Sequence, residues 1–330
     1  MITRRKTLTA LAVGAVAAPA VLRAQATTSW MVYSYVPAAT LAPARVFQEI
    51  VERVAKDTNG GLQLKYHLGG SLTIKGTDIT TAVGDNVIQI GDDGMQQGNV
   101  PITGILRLPM LVTTREEFDK ALAVMKPYVE RAYDKRGATM LATYYYPLQI
   151  AWSSKKLTSL DDFKGQKIRA TSPEQIEFLK RFGANGLTVS GSEVPSALER
   201  GVVDGVLTAN AGGGKIWKDL LKYCYEIGLN FFEANIVVNK EALAKLPASQ
   251  RDVLVKAIVE LTPKATQMLF AEESEEKAKR KAEGMVQTAA TPEDYKRGAD
   301  RMVGYWDAWA KSRGAETQEA LKKVRETLGR

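Results

Sequence analysis

Residues 167–208 read KIRATSPEQIEFLKRFGANGLTVSGSEVPSALERGVVDGVLT. This stretch alternates short apolar runs with longer segments whose apolar residues recur at helical spacing. The pattern predicts strands over 167–170, 187–189 and 203–208, and helices over 173–182 and 192–200. Gly183 and Gly201 follow the two helices, where glycine tolerates the left-handed conformation of a C-terminal cap. Strands that alternate with helices in this way predict a parallel α/β sheet.

The residues on either side extend the same pattern. Ahead of the stretch we predict strands over 30–36, 62–68, 87–91, 139–145 and 148–153, and helices over 44–54, around 79–83 and over 116–133. After it, 234–239 is typical of a strand that crosses back to the first unit. From 248 on the chain is predicted to be helical, with one long segment reaching 290. Roughly 300 residues exceed a usual single domain, so we predict an α/β protein with two lobes and a central cleft.

The first residues have the layout of a signal peptide. Positive charge over 3–6 is followed by an apolar run over 8–22 and by the small-x-small sequence at 24–26. We therefore expect residues 1–26 to be cleaved and the mature protein to be exported to the periplasm. The pair Arg4-Arg5 also fits a twin-arginine signal, and the sequence leaves the choice between the two export routes open. A buried amphipathic helix is the alternative, but it does not explain the order of the three regions.

Charge and reactive side chains narrow the classes of function. The chain carries 45 Lys and Arg against 37 Asp and Glu. Its basic residues do not cluster among aromatic residues, so nucleic-acid binding is not expected. Cys224 is the single cysteine and His67 the single histidine. We therefore expect no intramolecular disulfide, no metal site, no cofactor and no histidine-based acid–base chemistry.

Arg169 is the first candidate for ligand binding. It lies near the end of the strand that begins the second lobe, and ligands of α/β sheets bind beyond the carboxyl ends of the strands. A guanidinium group matches a carboxylate with two parallel hydrogen bonds and stays charged at any relevant pH. By spacing alone, an arginine paired with a surface acid is slightly favoured over a ligand-binding arginine.

Three segments resemble the periplasmic solute-binding proteins of TRAP transporters, the DctP type. Residues 162–169, 182–185 and 193–205 read DFKGQKIR, FGAN and EVPSALERGVVDG, in the order and spacing of that family. Residues 62–91 resemble its N-terminal lobe, and residues 237–240 resemble its return crossing. The likeness therefore spans nearly all of the mature chain.

The resemblance implies a two-lobed periplasmic-binding-protein fold, type II-like, with several crossing strands and a long helix that spans both lobes. On this basis we assign residues 27–149 with 235–250 to lobe I, residues 150–234 to lobe II, and residues 251–330 to the spanning helix and the C-terminal helices. It also implies that Arg169 forms the salt bridge to the ligand carboxylate. The implied partners are two integral-membrane transporter subunits, one small and one large, that use an ion gradient. We expect the receptor itself to be a monomer.

Gln149, Trp152, Asn210 and Gly213 are further ligand-binding candidates by comparison with that family. Many members have a second arginine in the crossing strand that holds Gln149 and Trp152 here, and a neutral side chain would favour a monocarboxylate. Asn210 follows a strand where members often place a ligand-binding asparagine. Gly213 lies in a run of three glycines, which permits a close approach of the backbone to a ligand or simply a flexible turn.

Tyr35, Phe232 and Asp92 complete the candidates. The two aromatic residues belong to segments that cross or border the cleft, and they indicate an apolar or aromatic tail on the ligand. Packing in the core is the more frequent role of such residues. Asp92 follows a predicted strand, where it would line the cleft or form a turn, and the turn is favoured.

The leading hypothesis is a binding protein that closes on a small organic carboxylate and performs no chemistry. The favoured ligand is a 2-oxo or 2-hydroxy monocarboxylate with an apolar or aromatic tail. One alternative is the binding protein of another importer, such as an ABC transporter. A second alternative is a periplasmic hydrolase or isomerase, in which Asp92 would work with Asp93 or Glu193 as a carboxylate pair.

Overall fold

The computed structural model describes residues 27–330, so the predicted signal peptide and its twin-arginine pair lie outside the described residues. The first half runs β1 (Thr28–Ser34), α1 (Ala42–Asp57), β2 (Leu62–His67), α2 (Ile79–Gly84), β3 (Ile90–Asp93), α3 (Arg115–Asp134), β4 (Ala138–Tyr146), β5 (Ile150–Ser153), β6 (Lys167–Ala170), α4 (Pro173–Arg181) and β7 (Asn185–Thr188). The rest runs α5 (Val194–Glu199), β8 (Gly205–Thr208), β9 (Tyr223–Glu226), β10 (Phe232–Asn239), α6 (Lys240–Lys245), α7 (Ala248–Ala282), β11 (Val286–Ala289), α8 (Pro292–Lys311) and α9 (Ala315–Leu328).

Two mixed sheets form the cores of the molecule. The first has the strand order β2-β1-β3-β10-β4, in which β1 is parallel to β2 and β3 while β10 is antiparallel to both of its neighbours. The second has the order β11-β9-β5-β8-β6-β7, in which β6 is parallel to β7 and β8 while β5 is antiparallel to β8 and β9. The chain passes between the sheets after β4, after β9 and, through α6 and α7, between β10 and β11.

Local sequence signals explain where the helices begin. Thr114 accepts a hydrogen bond from the backbone N–H of Glu117, whose side chain binds back to the Thr114 backbone, and this capping box starts α3. Ser172 caps α4, and Pro173 occupies its first turn. Both helices therefore begin at a residue whose side chain pairs one of the free backbone N–H groups of the first turn.

The long helix α7 joins the two halves of the fold. Its 35 residues pack on α1 and β4 of the first half and on the turn Asn210–Gly214, which follows β8 of the second sheet. Buried residues such as Leu254, Ile258 and Leu269 face the core of the first half. Within residues 27–330, no helix combines the length and the apolar character that crossing a bilayer requires.

Two segments differ from the elements that the sequence predicts. Residues 286–289 form the strand β11, parallel to β9, where we expected helix. The helix α7 ends at Ala282 and does not reach 290, because Gly284 adopts a φ of +90°. The β-branched residues Val286 and Thr288 then favour an extended chain. The strand predicted over 87–91 is also displaced. The N–H groups of Val87 and Ile88 bond to the carbonyl of Ala82 as an extension of α2, so β3 starts at Ile90.

That displacement corrects the expectation for Asp92. It lies inside β3, fully buried, and not in a turn after the strand. The predicted lobe boundaries at 149, 234 and 250 stay predictions. The strand β10 belongs to the first sheet throughout its length, Phe232–Asn239.

Candidate ligand-binding cleft

A narrow cavity of about 50 Å³ lies where the ends of strands from both sheets meet. The first sheet contributes residues that follow β1, end β4 and begin β10, and the second sheet contributes residues that follow β6 and end β8. The lining consists of Tyr35, Pro37, Leu41, Tyr146, Gln149, Arg169, Thr171, Gly191, Thr208, Gly212, Gly213, Ile216, Trp217 and Phe232. A larger recess of about 280 Å³ lies between α3 and β4 and is also lined by Glu233 and Asn235 of β10, but Arg169 is not part of its wall. The convergence of strand ends and polar side chains favours the narrow cavity as the ligand site.

Arg169 is a buried cation with unused hydrogen-bonding capacity. It is only 5% exposed. Its Nε donates to the carbonyl of Val189 at 2.9 Å and its Nη1 to that of Leu207 at a long 3.5 Å. The guanidinium lies 5.5 Å from the centre of the Trp217 ring. Among residues 27–330 no carboxylate lies within 4.0 Å of it, and burial lowers its pKa to about 10. An anion in the cavity would restore the charge balance.

Neutral polar side chains surround this cation. Gln149 donates through Nε2 to the carbonyl of Pro147 at 3.1 Å. The Thr171 hydroxyl donates to Oε1 of Gln175 at 2.9 Å, and the Thr208 hydroxyl accepts from the N–H of Gly213 at 2.8 Å. These groups can orient a ligand without adding a second charge.

Aromatic rings form another part of the wall. The rings of Tyr35 and Tyr146 each lie 5.5 Å from that of Phe232, measured between centroids, and Trp217 covers the side next to Arg169. Such a wall suits an apolar or planar part of a small molecule.

Five of the eight predicted site residues line the cavity: Arg169, Gln149, Gly213, Tyr35 and Phe232. Asn210 does not. Its Nδ2 donates to Oε1 of Glu273 on α7 at 2.7 Å, and the N–H groups of Asn210 and Ala211 bind the same carboxylate at 3.2 and 2.8 Å. Glu273 on α7 thus holds the turn Asn210–Gly214, which we call the glycine turn. The Asn210 side chain takes part in this contact and does not face the cavity.

Trp152 and Asp92 lie behind the wall. Trp152 is fully buried, and its indole N–H donates to the carbonyl of Thr208 at 3.0 Å, beneath Gly214. Asp92 accepts hydrogen bonds from Ser34 at 2.6 Å and from Tyr144 at 2.9 Å. Burial raises its pKa to about 7. Both side chains support residues of the cavity and do not themselves line it.

The neighbouring carboxylate, Asp93, faces away from the cavity as well. It accepts from the hydroxyls of Thr80 and, at 3.4 Å, Tyr133, and burial raises its pKa to about 7. Glu193 also lies outside the cavity lining, where it takes part in a capping box with Ser190. The carboxylate pairs of the hydrolase alternative therefore do not meet at this site.

Thr171 and Thr208 were not predicted to line the site, whereas Tyr146 and Trp217 were among the aromatic residues that the sequence places in crossing and cleft segments. Thr171 directly follows β6 and Thr208 ends β8, so the rule that ligands bind at the carboxyl ends of strands could have identified both. The two aromatic residues had no signal that separated them from core residues.

Arg107 is a second buried cation close to the site. Its guanidinium lies 3.8 Å from the Phe232 ring centre and pairs with Glu233 at 2.5 Å. Its Nη1 also approaches the Thr171 hydroxyl at 3.4 Å. Because Glu233 neutralises Arg107, Arg169 remains the cation that an anionic ligand would compensate.

Comparisons with known proteins agree with this architecture. The family model of DctP, "Bacterial extracellular solute-binding protein, family 7", matches residues 34–312. The crystal structure of DctP7 from Bordetella pertussis, an extracytoplasmic solute receptor binding pyroglutamic acid, aligns with a TM-score of 0.83 and 26% identity over 91% of this chain and 100% of that one. A TRAP solute-binding protein from a marine metagenome, from an unidentified microbe and specific for pyroglutamate, aligns with a TM-score of 0.83 and 25% identity over 91% and 99% of the two chains.

Among curated sequences, the C4-dicarboxylate-binding periplasmic protein DctP of Rhodobacter capsulatus is 30% identical over 200 residues, which cover 57% of this chain and 58% of that protein. The matches span between about a third and two thirds of the length of the curated relatives. The family match over residues 34–312 and the two-domain structural relatives confirm the fold and the resemblance that the sequence motifs indicated. The chain belongs to family 7 of the bacterial extracellular solute-binding proteins, the DctP family of TRAP transporter solute receptors.

Proposed function

We propose that this protein binds a small organic monocarboxylate in the cleft, with Arg169 as the carboxylate clamp. The observation that carries the proposal is the burial of Arg169 without a carboxylate partner. A buried cation is costly unless an anion compensates it, and hydrogen bonds to a charged group contribute about 1.5–3 kcal/mol each. A ligand carboxylate is the simplest anion that fits this position.

The rest of the wall supports a ligand with one carboxylate. Gln149 adds hydrogen-bonding capacity without charge, and Arg107 is already neutralised by Glu233. The aromatic wall formed with Tyr35 and Phe232 favours an apolar or aromatic tail, so we favour a 2-oxo or 2-hydroxy acid with such a tail. Two relatives with about a quarter of their residues identical bind pyroglutamate, which is also a monocarboxylate.

Asn210, Trp152 and Asp92 act indirectly in this proposal. Asn210 and Trp152 hold the glycine turn against the cavity, and Asp92 binds Tyr144, whose hydroxyl contacts that of Tyr35 in the wall. Asn210 lies on the α7 side of the turn, so a direct bond to the ligand is not part of the proposal.

The physiological role that we propose is delivery. After export by the signal peptide, the monomeric receptor would capture the acid in the periplasm by closing its two lobes. It would then deliver the acid unchanged to the small and large membrane subunits of a TRAP-type transporter. The family consists of solute-binding proteins, and the Rhodobacter capsulatus relative is periplasmic by name.

A thermal-shift screen with organic acids, followed by calorimetry on Arg169 variants, tests the proposal. A ligand at a hundredfold excess over its Kd adds about 2.7 kcal/mol to the stability of the native state, which gives a clear rise in melting temperature. Arg169→Ala should weaken binding of the acid that shifts the wild type by about tenfold or more, and Arg169→Lys by less, because lysine lacks the planar fork of donors.

Arg53→Ala is the matched control, since Arg53 pairs with Asp57 on the exposed face of α1. We expect it to leave the affinity unchanged. Unchanged affinity in folded Arg169→Ala would refute the role of the arginine. Absence of any shift across a broad library of carboxylic acids would refute the carboxylate ligand.

A further inference from the structure

A chain of hydroxyl groups connects a buried carboxylate to the cleft. Asp92 in β3 accepts from the Tyr144 hydroxyl, with distances of 2.9 Å to Oδ1 and 3.1 Å to Oδ2. The hydroxyl of Tyr144 lies 3.1 Å from that of Tyr35. Tyr35 lines the same narrow cavity as Arg169. The chain therefore begins at a carboxylate behind the wall and ends at a phenol oxygen beside the ligand position.

The direction of these hydrogen bonds follows from counting protons. An ionised carboxylate can only accept, and a tyrosine hydroxyl has one proton to donate. Since Tyr144 donates its proton to Asp92, the contact between the two tyrosines requires Tyr35 to donate to Tyr144. Tyr35 has then used its proton, so its oxygen can only accept a hydrogen bond, either from the neighbouring Tyr146 hydroxyl or from a ligand in the cavity.

The surroundings keep this arrangement in place. Ser34 also donates to Asp92, at 2.6 Å, so the carboxylate has a second donor that favours its ionised form. Burial raises the pKa of Tyr35 well above its usual value, so its phenol stays protonated. The pKa of Asp92 is about 7, so the carboxylate is ionised in a buffer of about pH 8.

We propose that the Tyr35 oxygen is an oriented hydrogen-bond acceptor, so that the receptor selects carboxylates with an N–H or O–H donor a few bonds from the carboxylate. The inference rests on the proposed carboxylate function and narrows it. A cavity of about 50 Å³ keeps the Tyr35 oxygen and the Arg169 guanidinium close to the same small ligand. Hydroxy acids and lactam acids have the required donor, whereas 2-oxo acids do not.

Pairs of acids with the same shape test this selection by calorimetry at pH 8. The first pair is L-pyroglutamate and its lactone counterpart, 5-oxotetrahydrofuran-2-carboxylate, in which a ring oxygen replaces the N–H. The second pair is 2-hydroxyisovalerate and isovalerate. In each pair that binds, the acid with the donor should bind at least about tenfold more tightly, because its twin leaves a buried acceptor unpaired.

Three variants identify the group that selects ligands with a hydrogen-bond donor. Tyr35→Phe should reduce the ratio of the two Kd values within each pair to about threefold or less, because the variant lacks the acceptor oxygen. Tyr144→Phe should also reduce it, because the Tyr35 proton is then free to turn toward the cavity. Tyr133→Phe is the matched control: its hydroxyl bonds to Asp93 and not to Asp92, so the wild-type ratio should persist. If Tyr144→Phe does not fold, Tyr35→Phe alone decides.

The proposal is overturned if the two acids of a pair bind wild-type protein with equal affinity, or if Tyr35→Phe keeps the wild-type ratio of Kd values. It is also overturned if the receptor binds other carboxylates that lack a donor and binds neither pair. If no carboxylate of any kind binds, the proposed carboxylate function itself fails, which is a different outcome.

Discussion

At the scale of single residues, Asp92 and Asp93 make the stability of the protein depend on pH. Both are fully buried in β3 and accept hydrogen bonds from hydroxyl groups. Burial raises the pKa of each from 3.8 to about 7. The unfolded chain loses these protons near pH 4, while the folded chain keeps them until about pH 7. Because the native state binds more protons in this window, stability falls as pH rises from about 4 to about 7.

We therefore expect Asp92→Asn to flatten the pH profile. The wild type without ligand should melt at a higher temperature at pH 5 than at pH 8, and the variant should reduce this difference by about 2–4 °C or more. Scanning calorimetry at both pH values measures it. Asp162→Asn is the control: the pKa of Asp162 is lowered below 3.8, so its effect on stability changes only below pH 5. Parallel profiles for wild type and Asp92→Asn would contradict the prediction.

The residue scale also shows what the sequence can and cannot predict about the site. Arg169 was predicted from the chemistry of its guanidinium, its position at a strand end and the family resemblance, and it lines the cavity. Asn210 was placed correctly in the chain, but the direction of its side chain depends on Glu273, which lies 63 residues away. Asp92 was assigned to a turn because the start of β3 depends on how α2 ends. Side-chain direction follows from such distant contacts, which spacing does not encode.

At the scale of elements, the glycine turn Asn210–Gly214 has no space for side chains at Gly213 and Gly214. A Cβ at Gly213 would lie 2.1 Å from the Trp217 ring, and one at Gly214 would lie 2.6 Å from the Trp152 ring. Trp217 in turn packs beside Arg169. The turn therefore holds the ring in place only because residue 213 has no side chain.

Gly213→Ala should displace Trp217 and weaken ligand binding by about tenfold, since overpacking of a filled site typically costs about 1–3 kcal/mol. The melting temperature without ligand should also fall. Gly98→Ala is the matched control, because a Cβ at Gly98 would meet no atom within 4 Å. Calorimetric titration and thermal melts of both variants check the prediction. Wild-type affinity in Gly213→Ala would show that the ring has room to move.

Most helices and strands could be predicted from hydrophobic periodicity, because the apolar residues of their buried faces recur at regular spacing. The predicted helix over 116–133, for example, corresponds to α3 at Arg115–Asp134. The strand β11 was missed because it is short, largely exposed and recruited by β9, which lies about 60 positions earlier in the chain. An edge strand of this kind is specified by its partner more than by its own pattern.

At the scale of the whole molecule, the order of the strands in the two sheets could not be predicted from the sequence. The pattern predicted a return crossing near residue 234, but β10 inserts between β3 and β4 with antiparallel pairing to both. This insertion and the passage after β4 give the two lobes several covalent connections. Relative motion of the lobes is therefore a hinge motion and not a free rotation. In the proposed function the lobes open to admit the ligand and then close on it, which is consistent with a cavity as narrow as about 50 Å³.

Glu272 on α7 connects α1 to the segment that follows the glycine turn. It pairs with Arg45 of α1 and, at 2.9 Å, with Lys215, which follows the glycine turn. When the lobes separate, at least one of these cations must move relative to the carboxylate. If the lobes close on the ligand as proposed, we expect the two ion pairs to stabilise the closed state more than the open state and so to favour binding.

Glu272→Gln should weaken ligand binding modestly, by about two- to fivefold, because partly exposed ion pairs contribute about 1 kcal/mol or less. The difference from wild type should shrink at about 1 M salt, where charges are screened over about 3 Å. Calorimetry at low and high salt, together with small-angle scattering to follow closure, measures both effects. Glu275→Gln removes an exposed charge from the same helix and should leave the affinity unchanged. Equal losses in the two variants would mean that net charge, and not the link between the lobes, affects binding.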